Sequence, residues 1–182
     1  IVSAAWKLFY EQGYEDTTVE EIIELSGTSK GSFYHYFDGK DALLSTLSSL
    51  FDEKYEELTG LLTPEMTAME QLLFLNRELF HMIEDSISLD LLARLYSTQL
   101  TTNGEKHLLD HNRIYYKLLR KIIAKGQAEG QLSSRSNVNE MVKLYALCER
   151  ALLYDWCLCA GEYALTEYSA KVLPGFLSSF LP

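Results

Sequence analysis

Thr17-Thr18-Val19-Glu20-Glu21-Ile22-Ile23-Glu24-Leu25-Ser26, then Gly27-Thr28-Ser29-Lys30-Gly31-Ser32-Phe33-Tyr34-His35-Tyr36-Phe37, is the stretch that decides the fold. Thr17 and Thr18 offer helix N-caps, and Glu20 and Glu21 stand three residues beyond them, a capping box in either register. Val19, Ile22, Ile23 and Leu25 supply the apolar face of a short helix through Ser26. Gly27 ends it, because glycine adopts the left-handed conformation that closes a helix. Ser29 caps a third short helix through Phe37, with Phe33 and Phe37 four apart and sharing one face. Two short helices across a glycine turn have the spacing of a helix-turn-helix.

Working outward, Ala5, Leu8 and Phe9 mark a first helix over Ile1–Gln12, stopped by Gly13. Downstream, Leu43, Leu47, Leu50, Phe51, Tyr55, Leu58 and Leu62 recur at three- and four-residue steps and predict one long fourth helix. Thr63-Pro64 predicts the start of a fifth helix running to Asp85. A sixth is expected over Ser88–Gln99, a break over Thr101–Gly104 and a seventh helix over Glu105–Glu129. Gln131–Ser136 reads as a polar linker, followed by an eighth helix over Val138–Ala160 and a ninth over Leu165–Leu181. The fold class is therefore all-α, with about nine helices: a helix-turn-helix domain over 1–47 and a larger helical bundle over 48–182.

Composition agrees with this layout. Only 3 Pro and 10 Gly interrupt 182 residues, which favours long helices over a many-turned β-fold. No apolar run is long enough to span a membrane, and no basic n-region with a following apolar stretch stands at residue 1, so no signal peptide is expected, although the true N-terminus is expected to lie ahead of Ile1. Cys148, Cys157 and Cys159 are an odd set on one helical segment, which is no disulfide framework and suggests a cytoplasmic protein. The net charge of −10 argues against general nucleic-acid affinity. Residues 1–47 hold Lys7, Lys30 and Lys40 against Glu11, Glu15, Asp16, Glu20, Glu21, Glu24, Asp38 and Asp41, three minus eight or −5. Because DNA affinity rests mainly on phosphate neutralisation, a basic arm ahead of residue 1 is expected to supply the remaining charge.

Ala5 to Gly13, Thr17-Thr18-Val19-Glu20-Glu21-Ile22, Ser29 to Phe37 and Lys40-Asp41-Ala42-Leu43 together resemble the tetracycline-repressor (TetR) family of bacterial regulators. Beyond about residue 47 the resemblance is one of helix layout, plus Leu152-Leu153-Tyr154-Asp155-Trp156. It implies a dimer whose first three helices bind a palindromic double-stranded DNA operator, and whose bundle binds a small-molecule effector. Carried over by position, Thr18 holds phosphate at the start of helix two. Thr28, Ser29, Lys30, Gly31, Ser32, Tyr34 and His35 enter the major groove or its walls, and Lys40 reaches phosphate. The residue types fit: Ser29, Lys30 and Ser32 lie near a helix start, where base edges and phosphates are met, and Gly31 lets the sugar-phosphate backbone come close. Tyr36 is expected to pack inward.

The eighth helix is apolar nearly all round, so one side is expected to face its own bundle and the other a partner subunit. Leu153, Leu165, Tyr168, Val172, Phe176 and Phe180 are the expected dimer contacts. Phe74, Met82, Tyr96, Tyr115, Tyr116, Tyr145 and Trp156 are candidates to line an apolar effector pocket, or else simply to fill core. Glu149 and Arg150 interrupt the eighth helix, either as a polar contact at a dimer seam or pocket, or paired locally with neighbouring helices. His107 and His111 are four apart, a zinc-compatible spacing, but a solvated helix face is the plainer reading. Cys148 and Cys159 are expected as small core residues. No catalytic set, cofactor motif or metal site is expected.

Three readings follow. The chain is a ligand-released repressor, a DNA-binding regulator whose bundle takes a protein partner, or a helical binding protein that has lost DNA affinity. An effector wedged beneath a long fourth helix would tilt it and carry helix three off the operator.

Overall fold

A computed structural model describes residues 1–101 and 106–182. Among them are ten α-helices, two short 3-10 turns and no strand, so the fold is all-α as expected. The helices are α1 Val2–Gln12, α2 Val19–Ser26, α3 Lys30–Tyr36, α4 Lys40–Leu44, α5 Leu47–Thr59, α6 Ala68–Ser86, α7 Leu89–Thr101, α8 Ile114–Ala128, α9 Val138–Leu158 and α10 Leu165–Leu177.

The chain divides into two compact units, residues 1–50 with 90–108, and residues 51–89 with 109–182. The first unit holds α1 to α4 and nearly all of α7. Its buried residues include Ala5, Trp6, Phe9, Tyr14, Ile22, Phe33, Leu43, Leu44 and Leu47. The Trp6 indole N–H donates to the Thr46 hydroxyl at 2.9 Å, which satisfies the polar edge of an otherwise apolar ring. In the second unit, α10 packs along α6, and α8 packs on both α6 and α9. Gly126 on α8 permits one close approach: a Cβ there would lie 2.6 Å from the Ala68 Cβ and 2.9 Å from Leu132.

Three expected boundaries are corrected. The long fourth helix is two helices, because hydroxyls at the joint compete for the backbone. Ser45 Oγ donates to Ala42 O at 2.7 Å, Thr46 Oγ1 to Leu43 O at 2.5 Å and Ser48 Oγ to Ser45 O at 2.6 Å. The neighbouring amides tighten to three-residue bonds, such as Ser48 N to Ser45 O. A single rigid lever from Lys40 into the bundle is therefore absent. The helix expected from Thr63-Pro64 starts instead at Ala68, capped by a Thr67–Glu70 capping box. The helix expected from Glu105 starts at Ile114. Ahead of it, His107–Leu109 is a 3-10 turn and Asp110 Oδ1 accepts from Asn112 N at 2.8 Å. Thr101 belongs to α7, and the rest of the expected break, with Glu105, lies outside the described residues.

Candidate functional site

The turn between α2 and α3 is built by local capping. Thr18 Oγ1 accepts from Glu21 N at 3.2 Å, while the Glu21 carboxylate accepts from Thr18 N at 2.7 Å. Gly27 stands at φ 65°, and the amides of Gly27 and Thr28 close α2 on Glu24 O and Ile23 O at 3.2 Å. Ser29 Oγ then caps α3 by accepting from Ser32 N at 3.1 Å. Thr28 is half-buried, its hydroxyl 2.7 Å from that of Ser26. Thr18, Thr28 and Ser29 thus hold the turn in shape as well as lying at its surface.

Phe33 and Phe37 take the inward face of α3, which leaves Lys30, Gly31, Tyr34 and His35 exposed on its outer side, with Ser32 half-buried. Tyr36, expected to pack inward, is instead 69% exposed, since the two phenylalanines fill the inner face and its ring rests against His35. An added Cβ at Gly31 would meet nothing nearer than Ser29 Oγ at 4.0 Å. Nothing inside the chain requires glycine there; what it leaves clear is the outer surface.

The acidic balance of 1–47 is largely engaged internally. Glu20 Oε1 accepts from Lys30 Nζ at 2.9 Å, which lowers the Glu20 pKa and raises that of Lys30. Both side chains are exposed, and such a pair is weak in water. Glu21 is held by the cap, mainly through Thr18 N, and its pKa is lowered in consequence. Lys40 is placed differently from its expected phosphate contact. Its ammonium donates to Tyr14 O at 2.7 Å, Glu15 O at 3.1 Å and Thr17 O at 2.9 Å, using all three N–H bonds. The Tyr14 ring lies between Lys40, 4.4 Å from its centroid, and Arg94 of α7, at 4.9 Å. The Tyr14 hydroxyl donates to Asp41, and burial together with that carboxylate raises its pKa. Arg94 also pairs with Glu15 at 2.6 Å. Arg94 pairs locally with Asp90 at 2.9 Å as well, but nothing in the sequence linked it to Tyr14 and Glu15, which lie about eighty residues away.

In the second unit, Glu149 is buried and intrachain. It accepts from Asn76 Nδ2 at 2.9 Å and from the Tyr115 hydroxyl at 2.6 Å, while Ser169 Oγ donates to Asn76 Oδ1 at 2.5 Å. Burial raises the Glu149 pKa despite these donors. The Tyr145 hydroxyl donates to Leu72 O at 2.8 Å, and Arg150 donates to the Tyr116 hydroxyl at 3.2 Å. Of the two readings of Glu149 and Arg150, pairing with neighbouring helices is the one seen. Tyr115 and Tyr145 are core residues around this carboxyl, Tyr116 is buried beside Arg150, and Trp156 is buried, donating to Tyr163 O at 2.8 Å. Met82 and Tyr96 are half-buried. Phe74 lines a separate groove between α6 and α10.

Among the expected dimer contacts, Leu153, Leu165 and Phe180 are buried within the chain's own core. Tyr168, Val172 and Phe176 retain exposed surface on α10. A stripe that sequence reading missed runs along α9, where Leu147, Ala151, Tyr154 and Leu158 follow at steps of four, three and four and are all exposed. His107 and His111 do not share a helix, and no three metal-ligating side chains converge among the described residues. The three cysteines are free and half-buried rather than core, and burial pushes Cys148 and Cys157 up to about 11.

A short helix held by a glycine turn and presenting lysine, glycine, tyrosine and histidine outward has the form of a helix-turn-helix recognition helix. Comparison with known proteins agrees. Residues 1–47 match the family model for bacterial regulatory proteins of the tetR family. The uncharacterized HTH-type regulator YuxN of Bacillus subtilis is 41% identical over 64 residues, 35% of this chain but only 22% of that protein's length. The fatty acid metabolism regulator protein of Bacillus subtilis is 23% identical over 177 residues, 95% of this chain and 90% of the relative. In three dimensions, FadR of Thermus thermophilus, a TetR-family repressor solved with lauroyl-CoA, superposes with a TM-score of 0.79 at 24% identity, covering 100% of this chain and 93% of that one. Bacillus subtilis FadR, solved with stearoyl-CoA, gives 0.71 at 22% identity over 98% and 97%. Residues 1–47 are thus similar to bacterial regulatory proteins of the tetR family, and the whole chain shares the fold of the two FadR proteins.

No helix among the described residues is long and apolar enough to cross a membrane.

Proposed function

We propose that the chain is a cytoplasmic, homodimeric transcriptional repressor that grips a palindromic operator through α3 and is released by a fatty acyl effector. The observation that carries this reading is the outer face of α3. Lys30, Gly31, Tyr34 and His35 stand exposed on a helix fixed at its start by the Ser29 cap, with no intrachain packing role for the glycine. Lys30 and His35 serve phosphate, Tyr34 serves a phosphate or a thymine methyl, and Gly31 lets the DNA backbone close in. Thr18, Thr28, Ser29 and Ser32 shape the surface they join, and Lys40 acts as a strut beneath it.

Dimerisation is supported by the α9 stripe of Leu147, Ala151, Tyr154 and Leu158, beside Tyr168, Val172 and Phe176 of α10. A contiguous apolar helix face on a soluble chain marks an interface, and a two-fold dimer presents two reading heads roughly 34–36 Å apart. The effector class is supported by the acyl-CoA esters that the two FadR proteins carry. The test is anisotropy of labelled operator on titration with lauroyl-CoA. Release at micromolar effector is expected; operator affinity unchanged at saturating lauroyl-CoA contradicts the acyl reading.

A further inference from the structure

Between α6 and α10 runs a groove of about 700 Å³, the size of a small-ligand site. Its walls are mostly apolar: Leu73 and Phe74 on one side, Ala170, Leu173 and Pro174 on the other. On α6 the lining runs from Glu70 to Arg77, seven residues on and so roughly 10 Å at the helical rise. The two ends differ in charge. Glu65 and Glu70 lie at the Met66 end, while Arg77, its guanidinium 5.5 Å from the Phe74 ring centroid, lies at the other, paired with Glu78 at 2.8 Å and with Glu84 engaged nearby by Leu165 N and Thr166.

Two polar side chains line this apolar groove although both are almost wholly buried: Asn76 is 3% exposed and Ser169 1%. Their mutual bond and the Asn76 bond to Glu149 use one amide N–H of Asn76 and the hydroxyl proton of Ser169. One N–H of Asn76 is left over by these bonds, at the Arg77 end of the groove. The Arg77–Glu78 pair is solvent-accessible and so weak in water, and a channel with this exchangeable guanidinium and a spare donor at one end, and two carboxylates at the other, is complementary to a linear apolar chain bearing an acceptor head. An anionic head at the Glu65 end would be repelled.

We propose that the α6–α10 groove is a fatty acyl site, with the chain along Leu73, Phe74 and Leu173 and its carbonyl or carboxylate oxygen on Asn76 and Arg77. The proposal rests on the acyl effector reading for the choice of ligand, and adds the place, direction and anchor. It puts the ligand outside the tyrosine-filled interior. Because Asn76 also donates to Glu149, the head group meets a network that joins α6, α8, α9 and α10. The head is shared by a free fatty acid and by a coenzyme A thioester.

Calorimetry on the full chain, with lauric acid, lauroyl-CoA and coenzyme A alone, separates these sources. The parent is expected to bind at least one lauroyl compound at micromolar concentration and not to bind coenzyme A alone. Ala170→Trp, at an exposed position of α10, fills the groove and should weaken binding at least tenfold, with helicity and oligomeric mass unchanged. Arg77→Glu should weaken lauric acid more than lauroyl-CoA. If neither lauroyl compound binds the parent, or if folded Ala170→Trp and Arg77→Glu both bind like the parent, the groove assignment is wrong. The operator assay then tells the two readings apart. Release from operator by lauroyl-CoA with parental potency in Ala170→Trp keeps the effector and discards the groove; a filled groove that leaves operator affinity unchanged does the reverse.

Discussion

Lys40→Met removes the ammonium while keeping most of the apolar stem, and so isolates the strut beneath the reading head. Three backbone carbonyls lose their donor. Two of those bonds, to Tyr14 O at 2.7 Å and Thr17 O at 2.9 Å, are part-buried, whereas Glu15 O is exposed and returns to water. Hydrogen bonds to charged groups contribute about 1.5–3 kcal/mol each, and the two sheltered ones share a single cation, so a loss of about 3 kcal/mol is expected. At about 2–4 °C per kcal/mol for a chain of this length, the Tm should fall by roughly 6–12 °C. The α1–α2 loop carries Thr18, so operator affinity should fall as well. The salt dependence of binding decides what kind of loss this is. A lost phosphate contact lowers the slope of log K against log salt by about 0.9, whereas a loosened scaffold leaves it nearly unchanged. Thermal melts and anisotropy from low to moderate salt provide both quantities. An unaltered Tm with a slope reduced by about one would refute the strut and make Lys40 a phosphate contact.

Gly31→Ala should raise the Tm slightly, since alanine favours a helix by about 1 kcal/mol over glycine and the site has room, yet weaken operator binding at least tenfold by blocking the DNA backbone. Operator binding like the parent's would remove Gly31 from the interface. Glu149 has a folded pKa raised by burial, so the proton favours the folded state. Its stabilising share is full below the unfolded value of about 4.3 and is lost as pH rises toward the folded value. Glu149→Gln, which cannot ionise, should therefore gain on the parent between pH 5 and pH 8 in thermal melts, and a pH-independent gap would show that burial does not hold the proton. Leu158→Asp paired with Leu147→Asp should give a folded monomer by sedimentation at micromolar concentration, and a persistent dimer would move the interface off the α9 stripe.

The first three helices were legible almost to the residue because their boundaries are chemically local. Thr18 with Glu21, Gly27, and Ser29 with Ser32 each act within three or four residues. The split after Leu44 was missed because the apolar spacing from Leu43 to Leu62 runs straight through it, while the deciding hydroxyls of Ser45, Thr46 and Ser48 sit on the other faces. The Thr67–Glu70 capping box was present in the sequence but masked by the stronger-looking Thr63-Pro64 signal. In α9, apolar residues on every face give no contrast by which to orient the helix. Leu153 therefore read as interface and proved to be core, while Leu147 and Leu158 proved exposed. The Glu149 network had no local signature at all, since its partners Asn76 and Tyr115 lie 73 and 34 residues away.

Selection of bound DNA from a random duplex pool, using the intact chain, tests the central claim most directly. The account predicts enrichment of one palindrome with half-sites a helical turn or a multiple apart, lost when Lys30→Ala and Tyr34→Ala are combined in a folded dimer. No enrichment over the starting pool, or the same palindrome recovered by that double variant, would contradict the assignment of α3 as the reading head.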